Sequence, residues 1–204
     1  MNTERTNVGW GFWLAWVLVS VMGLVVGALL GMSVAYGLFD RDGVDATIGI
    51  TGGIVMGATS GFLQWVVLRE KVARAGWWVL ASALGFAIAG GTLGAIRINE
   101  NYVMAGILFA AVFGVAGGIM QWLVLRQQVV RAGLWILASI FGSLVGAIGF
   151  PISSAIGATG NYGLSAMVFG LLLGAGLGAI PGAVLVWLLR QSHSSDVQGL
   201  ATAH

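Results

Sequence analysis

Apolar residues fall along this chain in six long runs with no acidic or basic side chain inside them, at about 12–39, 46–68, 77–96, 103–125, 134–152 and 164–189. Each is close to the roughly 20 residues that cross about 30 Å of hydrocarbon as a helix. The breaks are short and polar or turn-forming: Asp40-Arg41-Asp42-Gly43, Arg69-Glu70-Lys71, Arg97-Ile98-Asn99-Glu100, Arg126-Gln127-Gln128 and Ala158-Thr159-Gly160-Asn161. Such short connections make neighbouring helices antiparallel. The pattern predicts one all-α integral membrane domain with six transmembrane helices, followed by a short polar tail over 191–204. Ser33-Val34-Ala35 loosely matches a signal-cleavage site. The apolar run before it exceeds the usual signal core of roughly 7–15 residues, so an uncleaved membrane helix is expected.

A repeat runs through these spans. Gly57-Ala-Thr-Ser-Gly61-Phe-Leu-Gln64-Trp65-Val-Val-Leu-Arg69 recurs as Gly114-Val-Ala-Gly-Gly118-Ile-Met-Gln121-Trp122-Leu-Val-Leu-Arg126. It continues without a gap through Arg74-Ala-Gly-Trp-Trp78-Val-Leu-Ala-Ser82 and Arg131-Ala-Gly-Leu-Trp135-Ile-Leu-Ala-Ser139. The first span adds Trp16…Ser20…Gly23, matching Trp78…Ser82…Gly85 and Trp135…Ser139…Gly142. The sixth adds Gly178-Ala-Ile-Pro-Gly182-Ala-Val-Leu185-Val-Trp-Leu-Leu-Arg190, where Leu185 is read as standing in the glutamine's place. The chain thus reads as three tandem two-helix hairpins (about 12–68, 77–125 and 134–190). Parallel repeats of this kind suggest a pseudo-threefold bundle about the membrane normal.

The unit Gln-Trp-Leu-Val-Leu-Arg followed by Arg-Ala-Gly-x-Trp-x-Leu-Ala-Ser, seen at 121–139, resembles tandem repeats of uncharacterised bacterial polytopic membrane proteins, cyanobacterial and Chloroflexi-like. The likeness covers nearly the whole chain. It implies a bacterial membrane protein and brings no activity, cofactor or catalytic residue with it.

Small residues recur every fourth position, at Gly23, Gly27, Gly31 and Ala35; Gly49, Gly53, Gly57 and Gly61; Gly106, Ala110, Gly114 and Gly118; and Gly170, Gly174, Gly178 and Gly182. Residues four apart share a helix face, and a stripe without side chains lets another backbone come close enough for van der Waals contact in lipid. Glycine-zipper packing within the chain is the leading expectation. A groove for an outside helix, a flat pigment or a sterol-like lipid is the alternative. Gln64 and Gln121 are the long polar side chains inside spans, and Ser20, Ser82 and Ser139 occupy matching places. They read either as interhelical hydrogen bonds or as a polar site on a central path, with the serines bonding to helix carbonyls. Pro181 lies inside the sixth run and invites a kink. Pro151 is expected to end or bend the fifth, leaving 152–160 as a long outer loop able to fold back as a lid.

Composition and charge sharpen this picture. The chain is 58% hydrophobic and 8% charged, against about 25% charged in soluble domains. That is too little to clothe a water-facing surface. Arg5, Arg69, Lys71, Arg74, Arg126, Arg131 and Arg190 fall on one side of the predicted topology, and only Arg41 and Arg97 on the other. By the positive-inside rule both termini are cytoplasmic, in the cell (inner) membrane. The nine tryptophans (10, 13, 16, 65, 77, 78, 122, 135 and 187) sit at the basic ends of spans, and Tyr36, Tyr102 and Tyr162 at the opposite ends. Both placements read as interfacial belts.

With no cysteine, disulfides and thiol chemistry are excluded. His193 and His204 lie in the tail without a second ligand type, and Arg97 with Glu100 reads as a solvated pair. The charge-free spans argue against proton pumps, ion-coupled carriers and intramembrane proteases, and no basic stripe suits a nucleic acid. The expectation is therefore non-enzymatic, without metal or resident cofactor. The leading reading is an accessory or scaffold subunit of a larger membrane complex, packing through its glycine stripes on other subunits or on itself. The alternatives are a small channel or carrier for uncharged solutes and a binder of a lipid or carotenoid-type pigment.

Overall fold

The computed structural model describes residues 8–39, 45–96, 101–129 and 131–201, with side chains after 191 excepted. Arg5, Asp40, Arg41, Asp42, Arg97, Glu100 and His204, and the side chain of His193, lie outside the described residues. The described chain is all-helical, and six helices are long and apolar enough to cross a membrane. They are α1 (Trp10–Phe39), α2 (Ala46–Leu68), α3 (Trp77–Ile96), α4 (Tyr102–Leu125), α5 (Leu134–Gly157) and α6, whose span Tyr162–Gln191 belongs to a helix running to Ala201. The segment expected as a polar tail thus begins as a continuation of α6.

Local chemistry explains the helix ends. Asp45, Asn101 and Asn161 each accept a hydrogen bond from the backbone N–H three residues on, capping α2, α4 and α6. At the basic ends, the Leu68 carbonyl accepts from the N–H groups of Lys71 and Val72, and the Leu125 carbonyl from those of Gln128 and Val129. Both turns then pass through a left-handed residue, Arg74 (φ 57°) and Arg131 (φ 62°), before α3 and α5 start. The two turns are joined: Gln128 accepts from the Ala73 N–H and donates back to the Ala73 carbonyl.

The packing puts small residues inside and large apolar ones outside. On α1, Ser20, Gly23, Gly27, Gly31 and Ala35 are buried, while Leu14, Leu18, Met22, Val26 and Leu30 are exposed on the opposite face. That arrangement suits acyl chains and would be penalised in water. Consecutive helices pack against one another, and α6 packs along α1. Two buried layers fill the middle. Trp16, Trp78, Trp135, Leu68, Leu125 and Leu185 lie toward the basic end. Leu24, Phe86, Phe109, Phe113, Leu173 and Leu177 lie toward the other.

Two helices depart from the regular expectation. The fifth does not end at Pro151: Leu134–Gly146 gives way at Ala147-Ile148 to a second segment, Gly149–Gly157, with Pro151 in its first turn, where a missing N–H costs little. Residues 152–157 are therefore helix and not a free lid. Ser165 Oγ, donating to the Ser153 carbonyl, ties this segment to α6. In α4, Phe113–Gly117 form a π-helical turn. Gly117 leaves room there for the Phe113 ring, which lies within 3.1 Å of the place a Cβ would take.

Candidate functional site

The most elaborate arrangement of polar groups lies in the buried middle of the bundle. Trp16, Trp78 and Trp135 come from the start of α1, α3 and α5. Their rings close a triangle of edge-to-face contacts with centroids 5.8, 6.1 and 5.2 Å apart, the geometry aromatic quadrupoles prefer. All three are at most 2% exposed. The sequence reading placed them in an interfacial belt. Trp10 and Trp77 are exposed, but these three are core residues.

Each glutamine bridges two helices. Gln64 on α2 donates through Nε2 to Ser20 Oγ on α1 (3.0 Å) and accepts through Oε1 from Trp78 Nε1 on α3 (2.8 Å). Gln121 on α4 does the same between Ser82 on α3 and Trp135 on α5, both at 3.0 Å. An indole can only donate, which fixes each amide with its oxygen toward the tryptophan. So Ser20 and Ser82 accept from glutamine side chains, where bonds to helix carbonyls were expected. Ser139 instead bonds to its own helix, donating to the Trp135 carbonyl at 2.9 Å.

The third station differs, and glycine contacts show how. A Cβ on Gly61 would lie 2.9 Å from Ser82 Cβ and 3.0 Å from Val79 Cα. On Gly118 it would lie 3.2 Å from Ser139 Cβ and 3.3 Å from Ile136 Cα, and on Gly178 it would lie 3.1 Å from both Ser20 Cβ and Val17 Cα. Gly178 therefore takes the place of Gly61 and Gly118, one helical turn away from the Gly57 match read in the sequence. Three residues further on stand Gln64, Gln121 and Pro181, and four beyond those stand Leu68, Leu125 and Leu185, all three leucines fully buried. Pro181, and not Leu185, occupies the glutamine position. Trp16 Nε1 is accordingly buried with no hydrogen-bond partner among the described residues.

The glycine stripes meet the chain's own backbone. Gly57 faces the Ser82 carbonyl (2.5 Å from a would-be Cβ), Gly23 faces Ser60 Cα (2.7 Å), and Gly27 and Gly31 face Met56 and Gly52 carbonyls. Gly106 faces the Ala147 carbonyl and Gly114 the Ile140 Cα, both at 2.8 Å, while Gly49 and Gly53 press on Gly90 and Phe86. A Cβ on Gly170 or Gly174 would lie 2.6 Å from Val25 or Val21 Cα, and one on Gly182 would lie 2.5 Å from Cδ1 of the Trp16 side chain. The faces offered as grooves for an outside helix or pigment are thus filled from within.

Between the two core layers lies a cavity of about 20 Å³, bordered by Trp16, Gln64, Ser82, Gln121, Ser139, Leu177 and Pro181 among others. At one end Trp16 and Trp135 close it, and at the other Phe86 and Phe113, whose rings lie 4.3 Å apart. Among the described residues no three His, Cys, Asp or Glu side chains come together. A larger groove of about 410 Å³ opens on the outer surface between α3 and α4, lined by Trp77, Leu80, Leu84, Met120 and Leu123 with Arg74 and Gln128 at its basic end. No family model, curated protein or solved structure matches the chain.

Proposed function

We propose that this chain is a non-enzymatic polytopic protein of the bacterial inner membrane, serving as an accessory or scaffold subunit of a larger membrane complex. In this reading three hairpins, inserted the same way with both termini cytoplasmic, surround a pseudo-threefold axis. The recurrent Gly61, Gly118 and Gly178 contacts and the return of α6 to α1 support that arrangement. The observation that carries the proposal is the filled axis. Its polar side chains are spent on bridging helices, and its cavity of about 20 Å³ admits roughly one water. A carrier of uncharged solutes would need a polar lining open to a path near the midplane.

The stripes being occupied, partner contacts fall to the outer surface of large apolar side chains and the turns at the basic end. Native mass spectrometry of mildly solubilised protein tests this: a co-purifying subunit or a defined self-assembly is expected. An isolated monomer in every mild detergent, together with solute flux in reconstituted vesicles, would replace the scaffold with the carrier. The α3–α4 groove favours a second reading, a bound phospholipid with its chains along Leu80 and Leu84 and its headgroup at Arg74. Lipid extraction and an absorbance spectrum of the same preparation distinguish it from a pigment.

A further inference from the structure

We propose that the axial cavity is a binding site for one internal water molecule, which does at the third station what Gln64 and Gln121 do at the other two. This rests on the side chains around the cavity and is independent of the scaffold reading.

Three observations converge on it. Trp16 Nε1, on a residue 1% exposed, has no hydrogen-bond partner among the described residues, although Trp78 and Trp135 both donate to a glutamine. A buried donor left in this state costs about 1–3 kcal/mol. Next, Pro181 stands where a glutamine would serve Trp16 and, lacking an N–H, withholds the usual helical bond from the Leu177 carbonyl. Finally, Trp16, Leu177, Pro181 and Ser139 all border the same cavity. Ser139 Oγ spends its proton on the Trp135 carbonyl, so its lone pairs are open to a donor.

A donor, an acceptor carbonyl and an acceptor hydroxyl form a suitable set for water. It accepts from Trp16 and donates to Leu177 and Ser139, about the three bonds typical of buried waters. Size excludes more than this. A site of about 20 Å³ exceeds the roughly 10–15 Å³ one water needs and cannot hold an organic solute. With no charged side chain on its wall, it offers nothing to hold an ion. The single substitution of proline for glutamine thus removes one side-chain bridge and supplies two of the conditions for a water to replace it.

The test uses the full chain with ¹⁵N-labelled tryptophan in micelles, each indole N–H assigned by its Trp→Phe variant. Water-selective cross-relaxation should give a cross-peak at Trp16 Hε1, and none at Trp78 Hε1, which does not border the cavity. Absence of the Trp16 cross-peak, while exposed Trp10 and Trp77 show theirs, would overturn the proposal. Pro181→Gln should abolish the cross-peak and move Trp16 Hε1 downfield toward the other two. A Pro181→Gln protein that folds and keeps the wild-type cross-peak would also overturn it.

Discussion

Replacing Gln64 with leucine would strand two polar groups in a layer from which water is excluded. Ser20 can turn its hydroxyl to its own helix, as Ser139 does to the Trp135 carbonyl, so its loss is small. The Trp78 indole is held between Trp16 and Trp135 and cannot turn, so most of the penalty falls on its Nε1. Interhelical hydrogen bonds in membranes average about 0.6 kcal/mol and reach about 1.7, because the unfolded chain in lipid also finds partners. Two such bonds and a buried orphan put Gln64→Leu at about 1–2 kcal/mol less stable. A double-mutant cycle with Trp78→Phe isolates the bond. Unfolding in mixed micelles, followed by tryptophan fluorescence, should give a coupling of about 0.6–1.7 kcal/mol for Gln64 with Trp78. The Gln121–Trp135 pair should give the same, since its geometry is the same. Coupling indistinguishable from zero in both cycles would refute the bridging role, as would a Gln64→Leu protein as stable as the wild type.

Other sites give equally direct expectations. Gly57→Ala drives a methyl into the Ser82 carbonyl and Ala83 Cα and should cost about 1–3 kcal/mol, with Gly57→Leu disrupting the bundle. Gly37→Ala on α1, with nothing within 4 Å, should be neutral or gain up to about 1 kcal/mol of helix propensity; the same micelle titration compares them. Arg74→Gly removes the penalty of a side chain at φ 57° and should be neutral to about 1 kcal/mol stabilising. Arg74→Val should be destabilising, since a β-branched residue is worst in that region. Thermal unfolding in detergent orders the three proteins.

What could be read from residues alone follows from what each signal measures. Span positions were legible because hydropathy and charge exclusion depend only on the solvent: α2, α3 and α4 lie within a residue of the expected limits. The tryptophan core was visible and misassigned. Indole preference for the interface is a rule about single residues, whereas Trp16, Ser20 and Gly23 lie on one helix face and repeat in α3 and α5. A bulky residue sharing a face with small ones faces inward. The polar run after Pro151 reads as loop because the partners that satisfy it are visible only in the fold. In the fold Ser153 donates to the Phe150 carbonyl, and its own carbonyl takes the Ser165 hydroxyl.

The sixth helix shows why a sequence match can slip by a turn in a membrane bundle. Arg190 invites a match to Arg69 and Arg126, yet a terminal arginine answers to the interface and only loosely to the packing below it. Buried contacts constrain more strongly. Gly178 must meet Ser20, and Leu185 must fill the layer already holding Leu68 and Leu125. Fixing those positions places Pro181 on the axis, and the lost glutamine, the orphaned Trp16 and the axial cavity then have a single cause. The glycines set its scale. Helices whose would-be Cβ atoms lie 2.5–2.8 Å from a neighbour's backbone at Gly57, Gly23 and Gly114 leave an interior only wide enough for three indoles and the amides that bridge them.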